Sequence, residues 1–331
     1  MATIQMRFDL RVAPFAQTTF AAQYGACLDM AAWGDGIGVR SISVSEHHGD
    51  PAGFTPAPIT LAAAILARTR RVVVSVSAAL VPLHDPVRLA EQLATVDCLA
   101  PGRLSVIAGA GYRVAEFEMA GVARRDRGRL VEEFVEVCRA AWTGEPFGWR
   151  GRTVLVTPPP ATPGGPRLLL GGKTEIAARR AARLRCPFSP ASGDPALAKA
   201  YRDECERIGF AGGSVEGLGD RPAQPGFVMV SKDPEAVWKQ VAPLAMYDAQ
   251  TYASWQADGV KSDWAIPDLQ DPEELRTTNR YVVVTPEQCV AMIERDGGLT
   301  FHPLMGGIPP QLAWQSLRLF ETKVVPHIHV D

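Results

Sequence analysis

Short apolar runs alternate along the chain with longer segments whose apolar positions recur at helical spacing. The runs Met6–Val12, Gly38–Val44, Arg71–Ala78, Arg103–Ala108, Arg167–Leu170, Arg185–Phe188, Gly226–Ser231 and Leu299–His302 read as strands. Several are almost continuously apolar, "VVVSVSAAL" most clearly, as parallel strands covered on both faces should be. Helices are predicted over Thr18–Trp33, Ala57–Ala67, Val87–Leu99, Arg127–Trp142, Glu175–Leu184, Ala196–Ile208, Glu235–Ala245 and Gln311–Phe320. Asp85-Pro86, Asp194-Pro195 and Asp233-Pro234 each put a capping carboxylate before a proline at the first helical position. Eight strand–helix units predict an α/β fold, a (β/α)8 barrel forming one domain over residues 1–331. A doubly wound open sheet would also absorb the pattern, but it usually has fewer strands and a recognisable dinucleotide turn.

Two segments interrupt the repeat. Residues 146–165, with "TPPPATPGG" and the short run "TVLV", form an excursion after the fourth unit. A second insertion, from about residue 247 to 285, precedes the last strand and is rich in aromatic and acidic residues over Tyr247–Tyr281. Loops of that length in a compact fold usually act as lids or partner surfaces.

Composition narrows the class. Of 331 residues, 47% are hydrophobic and 21% charged, and the net charge of −2 gives no electrostatic footprint for nucleic acid or an anionic membrane. "MATIQMRFDL" lacks a basic region followed by an apolar core, and no run approaches the roughly 18 apolar residues of a membrane span. The six cysteines are scattered without a CxxC, so free thiols in a reducing cytoplasm are expected rather than disulfides or zinc.

The chemistry-bearing residues gather at strand ends. Glu46, His47 and His48, in "SVSEHHGD", end the second strand; His84 follows the third, and His302 ends the last. In a parallel barrel the active site lies where the strands' carboxyl ends meet the following loops, so this rim is the candidate catalytic face. Adjacent histidines on an extended segment point to opposite sides, and neither HExxH nor a two-histidine–carboxylate spacing accompanies them. No metal is therefore expected, and an acid–base or hydrogen-bonding role is, with one of the two rings packing instead. "LLLGGKTEIAAR" offers a phosphate cradle from Gly171, Gly172 and Thr174 at a helix N-terminus, or simply a glycine turn with a threonine cap. It is not a Walker loop, because Arg167 stands where the earlier glycine would be. "GAGYRVAEFE" carries Gly109 and Gly111 without a full dinucleotide fingerprint, and the arginines of "RRDRGRL" could add a phosphate contact.

With "SVSEHHGD", "ALVPLHDPVRLAEQLATVDCLAPGRLSV", "GYRVAEFEMAGV", "LLLGGKTEIAARRAAR" and the ending "GGIPPQLAWQSLRLFETKVVPHI" in this order, the chain resembles the bacterial-luciferase-like flavin monooxygenases over nearly its whole length. The resemblance implies a barrel with insertions that binds reduced FMN, or reduced deazaflavin in a sister group. It implies a separate flavin reductase, O2 and an apolar small-molecule substrate, and commonly a homodimer. His47 matches the histidine that acts as acid or base in the flavin–oxygen chemistry, with Glu46 and His48 orienting it or lining the pocket. The segment after the fourth strand, Ala108 and Gly109 with Gly111 and Tyr112, would approach the isoalloxazine ring. Gly171, Gly172 and Thr174 match a phosphate loop, and Arg127 or Arg129 a basic phosphate contact. Luciferases carry a reactive cysteine and an arginine where this chain has Gly109 and Ala110, so either Arg127, Arg129 or Lys173 replaces that arginine or flavin binding is weakened. Trp255 and Trp264 make the second insertion a lid candidate. Deazaflavin-dependent hydride transfer and a catalytically silent flavin-binding subunit remain open alternatives.

Overall fold

The computed structural model describes residues 2–216, 225–255, 266 and 269–329. In chain order the first half runs β1 (Thr3–Phe8), α1 (Phe20–Ile37), β2 (Ser41–Val44), α2 (Pro58–Arg68), β3 (Val73–Leu80), α3 (Pro86–Leu99), β4 (Leu104–Gly109), α4 (Val114–Ala120) and α5 (Arg127–Ala141). A hairpin of β5 (Phe147–Trp149) and β6 (Arg152–Val154) follows. The second half runs β7 (Arg167–Gly172), α6 (Glu175–Arg183), β8 (Phe188–Pro190), α7 (Pro195–Arg207), β9 (Phe227–Val230), α8 (Pro234–Ser254), α9 (Pro272–Thr277), β10 (Tyr281–Val284), α10 (Pro286–Asp296), β11 (Gly298–Phe301) and α11 (Pro310–Lys323).

The main sheet has seven strands in the order β11-β1-β2-β3-β4-β7-β8, parallel throughout. Each of the eight expected strands is present in part, but the hydrogen-bonded ladder among the described residues does not close into a ring. Instead β9 pairs in parallel with β10, a strand the hydrophobic pattern did not single out. Tyr281–Val284, at the end of the second insertion, is a strand followed directly by α10, so a further strand–helix unit precedes the last strand. Tyr247–Ser254, also expected in that insertion, continues α8 beyond its internal Pro243.

Strand alternation sorts the sheet's two faces. In β1, Ile4, Met6 and Phe8 are buried in the core, whereas Gln5 and Arg7 point the other way. There Gln5 donates to the Ser41 hydroxyl at 2.9 Å, and the register places Arg7 beside Ser43 and Ser43 beside Ser75. This second face is polar and incompletely covered: Arg7, Ser43, Ser75 and Ile107 are half-buried and Ser77 is exposed, although none of their strands is an edge strand of the sheet. A core packed with branched apolar side chains would leave no such opening.

The 146–165 excursion is tied down from below. Asp97 accepts from the Thr162 amide at 2.6 Å and hydroxyl at 2.8 Å. Gly165, at φ +90°, lies so close to Trp142 that an added Cβ would come within 2.2 Å of the indole, which requires glycine on both conformational and steric grounds.

Candidate functional site

After β2 the chain continues in extended form, and the parallel topology brings its end beside those of β1, β3, β4 and β7. His47 and His48 take different partners, as alternation on an extended segment demands. His47 Nδ1 lies 2.8 Å from Glu116 Oε1 on α4. The His48 amide donates to the same oxygen at 3.1 Å, while the His48 ring pairs with Glu46 at 2.8 Å. The Glu116 oxygen accepts from Nδ1–H, which leaves Nε2 as the ring nitrogen free to meet a reacting group. Glu116 is buried and its Oε2 has no hydrogen-bond partner among the described residues.

The surroundings of His47 exclude water. It is 9% exposed, with ring centroids 4.5 Å from Phe54, 4.7 Å from Trp255 and 5.8 Å from Tyr112. Tyr252 joins this group through Phe54 and Trp255. Arg113, the N-cap residue just before α4, donates to the His48 carbonyl at 3.0 Å and approaches Glu116 Oε1 at 3.4 Å. Its guanidinium lies 4.1 Å from the Trp255 ring centroid, a cation–π arrangement that ties the end of α8 to the start of α4. Trp255 thus packs directly on the histidine, whereas Trp264 falls outside the described residues.

Glu46 faces away from His47. Its Oε1 accepts from His48 and, at 2.6 Å, from His84 Nε2, while Oε2 accepts from the Leu80 amide at 2.7 Å. Burial alone would raise this carboxyl, but the hydrogen bonds from His48 and His84 and the nearby His84 charge outweigh it and bring it down to about 2. Glu46 is therefore an anionic anchor for two imidazoles, and the group that holds His47 is Glu116.

Behind Phe54 lies a second polar cluster. Arg11 is fully buried; its Nη2 donates to Asp9 at 2.9 Å and also to Asp248. The Tyr281 hydroxyl donates to the other Asp248 oxygen at 2.6 Å, and His302 Nε2 stands 3.3 Å from Asp9. Burial opposes the charge on Asp9, yet Arg11 and His302 hold its carboxyl well below the usual range. Arg11 also lies 4.7 Å from the Phe54 ring and 4.8 Å from that of Tyr252, so the aromatic wall of His47 rests on this cluster. Glu116, Arg113, Arg11 and Asp248 were not singled out from sequence, because only tertiary folding gives them their partners.

The remaining expected positions divide between packing and the rim. Ala108 is fully buried in the core. A Cβ at Gly109 would come within 2.9 Å of Ala78, and one at Gly171 within 2.8 Å of Ile107. Gly172 would meet Ala177 at 2.3 Å, and Thr174 caps α6 by accepting from the Ala177 amide at 3.2 Å. Arg127 reaches back to donate to the Gly111 carbonyl at 3.2 Å. The open inner face, with its serines and Arg7, and the N-terminus of α6 at the same edge fit a planar group with polar edges and a phosphate. A flavin is a group of that kind.

The sequence profile of the luciferase-like monooxygenases matches residues 7–297. The chain belongs to that family. It is 27% identical over 333 residues to the F420-dependent glucose-6-phosphate dehydrogenase of Nocardia farcinica, spanning 93% of this chain and 96% of that one. It is 29% identical to the 4-hydroxyprotoasukamycin monooxygenase of Streptomyces nodosus subsp. asukaensis over 118 residues, or 36% and 32% of the two chains. Among solved structures, monooxygenase RslO1 from Streptomyces bottropensis superposes with a TM-score of 0.75 at 22% identity, covering 98% of this chain and 99% of that one. The oxygenating constituent of 3,6-diketocamphane monooxygenase from Pseudomonas putida, solved with FMN, gives 0.65 at 18% identity, covering 100% of each. These likenesses establish the α/β fold with its curled parallel sheet.

Replacing Glu116 with glutamine is expected to lower turnover by about 10- to 100-fold, since the amide holds the ring less firmly and can select the wrong tautomer. A pH–rate profile of this variant separates the two roles: an unchanged rate and profile would show that Glu116 is only a structural partner.

Proposed function

We propose that the protein is a flavin-dependent monooxygenase that uses reduced FMN and O2 to oxidise an apolar small molecule, with a separate reductase supplying the flavin. The observation that carries this reading is the His47–Glu116 pair, a proton-transfer group with a buried carboxylate partner inside an aromatic, water-poor wall at the carboxyl edge of a parallel sheet. When bound, the reduced flavin supplies the electrons that allow O2 to react. The chain's own contribution is positional and protonic. His47 Nε2 accepts or returns a proton beside the reacting atoms, Glu116 fixes the ring, and Phe54, Tyr112 and Trp255 keep water out. Trp255, at the end of α8, closes the side of this wall nearest Arg113. Gly171, Gly172 and Thr174 hold the phosphate at the α6 N-terminus, with Arg127 or Arg129 as its basic partner.

Other parts of the reading rest on the family pattern. They are a closed (β/α)8 barrel with insertions after strand four and before strand eight, a homodimer, and a cytoplasmic location. A second reading keeps the site but uses reduced deazaflavin for hydride transfer, with His47 acting on the substrate; the near full-length relative named for F420 favours it. Anaerobic titration with each reduced cofactor decides between them. Tight binding of reduced FMN with weak binding of its oxidised form is the expected result. Selective binding of reduced F420 would establish the second reading, and binding of neither would remove both.

A further inference from the structure

Glu46, His48 and His84 lie beside the His47–Glu116 pair but do not share its hydrogen bond. Glu46 Oε1 is 2.8 Å from His48 Nε2 and 2.6 Å from His84 Nε2, and the three ligand-capable atoms all fall within 4.8 Å of one another. We propose that these side chains form a binding site for a divalent transition metal of the Zn2+, Co2+ and Ni2+ type, held by two imidazole nitrogens and one carboxylate oxygen. Two imidazoles with one carboxylate suit ions of that series, whereas Mg2+ and Ca2+ prefer oxygen-only shells.

The site is built rather than accidental in three respects. Its carboxylate is ionised, buried and fixed from behind by the Leu80 amide. The two imidazoles come from different loops, after β2 and after β3, yet present their Nε2 atoms to the same oxygen. Their rings are only partly covered, with side-chain exposures of 19% and 30%, so an ion and its waters can reach them. A cavity of about 360 Å³ opens on the His84 side of the cluster, lined also by Asp85, Arg129 and Glu133, and gives solvent access to that ring.

Ligands on one such ion at about 2.0–2.1 Å stand roughly 3 Å or slightly more apart, so the carboxylate–imidazole distances of 2.8 and 2.6 Å must lengthen and the two Nε2 atoms, within 4.8 Å of each other, must settle at that same spacing. On loading, each imidazole presents its Nε2 lone pair. A neutral ring moves that proton to Nδ1, and a charged ring releases one to solvent. The ion replaces two donors crowded on one oxygen. Because the His48 amide also donates to Glu116, loading would be felt at the neighbouring pair, although the site itself does not depend on the flavin reading.

The test is a Co2+ titration of tag-free, chelator-treated protein carrying Cys98→Ser, which removes the exposed thiol. One equivalent is expected to bind with visible d–d absorption and no thiolate charge-transfer band. His84→Ala and, separately, His48→Asn are expected to weaken it at least 100-fold while far-ultraviolet circular dichroism stays that of the parent. Glu46→Gln adds a third arm if it folds; the histidine variants suffice if it does not. Parent-like affinity in His84→Ala, loss of binding on replacing His327 and His329 instead, or no binding by the parent at millimolar Co2+ would each overturn the proposal.

Discussion

His47→Ala is expected to reduce turnover by roughly 10²- to 10⁴-fold, the usual contribution of a positioned proton-transfer group, while affinity for the reduced cofactor changes little. The separation follows from geometry. His47 donates through Nδ1 to Glu116 and is walled by Phe54, Trp255 and Tyr112, whereas the proposed phosphate contacts belong to β7 and α6. Alanine would also leave a void in the aromatic wall and admit water, so His47→Gln is the informative companion. It nearly fills the space but cannot shuttle a proton at neutral pH. If the chemistry needs the proton, both variants fall together in single-turnover experiments. If the chemistry needs only a dry wall, glutamine retains most of the rate. Parent-like turnover in both would remove His47 from the mechanism altogether.

The sequence conveyed the strands well and the partnerships poorly, for one physical reason. A parallel strand inside a sheet advertises itself locally through its run of apolar residues; hence "VVVSVSAAL" is legible as a strand, although its Ser75 and Ser77 belong to the polar, incompletely covered face. The unit formed by β10 and α10 was less so. Its strand has four residues, Tyr281–Val284, although the helix carries a legible start signal in the capping box of Thr285 and Gln288. Side-chain pairing at the site depends on contacts between residues far apart in the chain. Glu116 is 69 positions from His47, and His84 is 38 from Glu46. No local spacing therefore signals the two-histidine–carboxylate cluster, which draws one imidazole from the loop after the neighbouring strand. Alternation along the extended segment did foreshadow that the two adjacent histidines would take different partners. It could not show which carboxylate each would take: Glu46, next to His47 in sequence, serves His48.

The largest stability effect is expected at Asp248. Its carboxylate receives both Arg11 and the Tyr281 hydroxyl and links the segment after β1 to α8 and β10 in one buried network. Asp248→Ala would leave Arg11 fully buried with Asp9 as its only carboxylate hydrogen-bond partner among the described residues, and it would strip Tyr281 of its acceptor. Removing one member of a buried ion pair usually costs about 3–5 kcal/mol, because the remaining charge stays desolvated. Denaturant unfolding should register that loss. The network need not stabilise the fold relative to a fully apolar replacement, since bringing these charges out of water is itself costly. Arg11→Met combined with Asp248→Leu is accordingly expected to lose less than the two single changes summed. Phe54 and Tyr252 stack on the Arg11 guanidinium, and Phe54 in turn packs on His47. The double variant, even if stable, should therefore show weakened turnover as the wall loses its support. A loss below about 1 kcal/mol in Asp248→Ala would mean that Arg11 finds water or another anion, and the network would then lose its place as the foundation of the site.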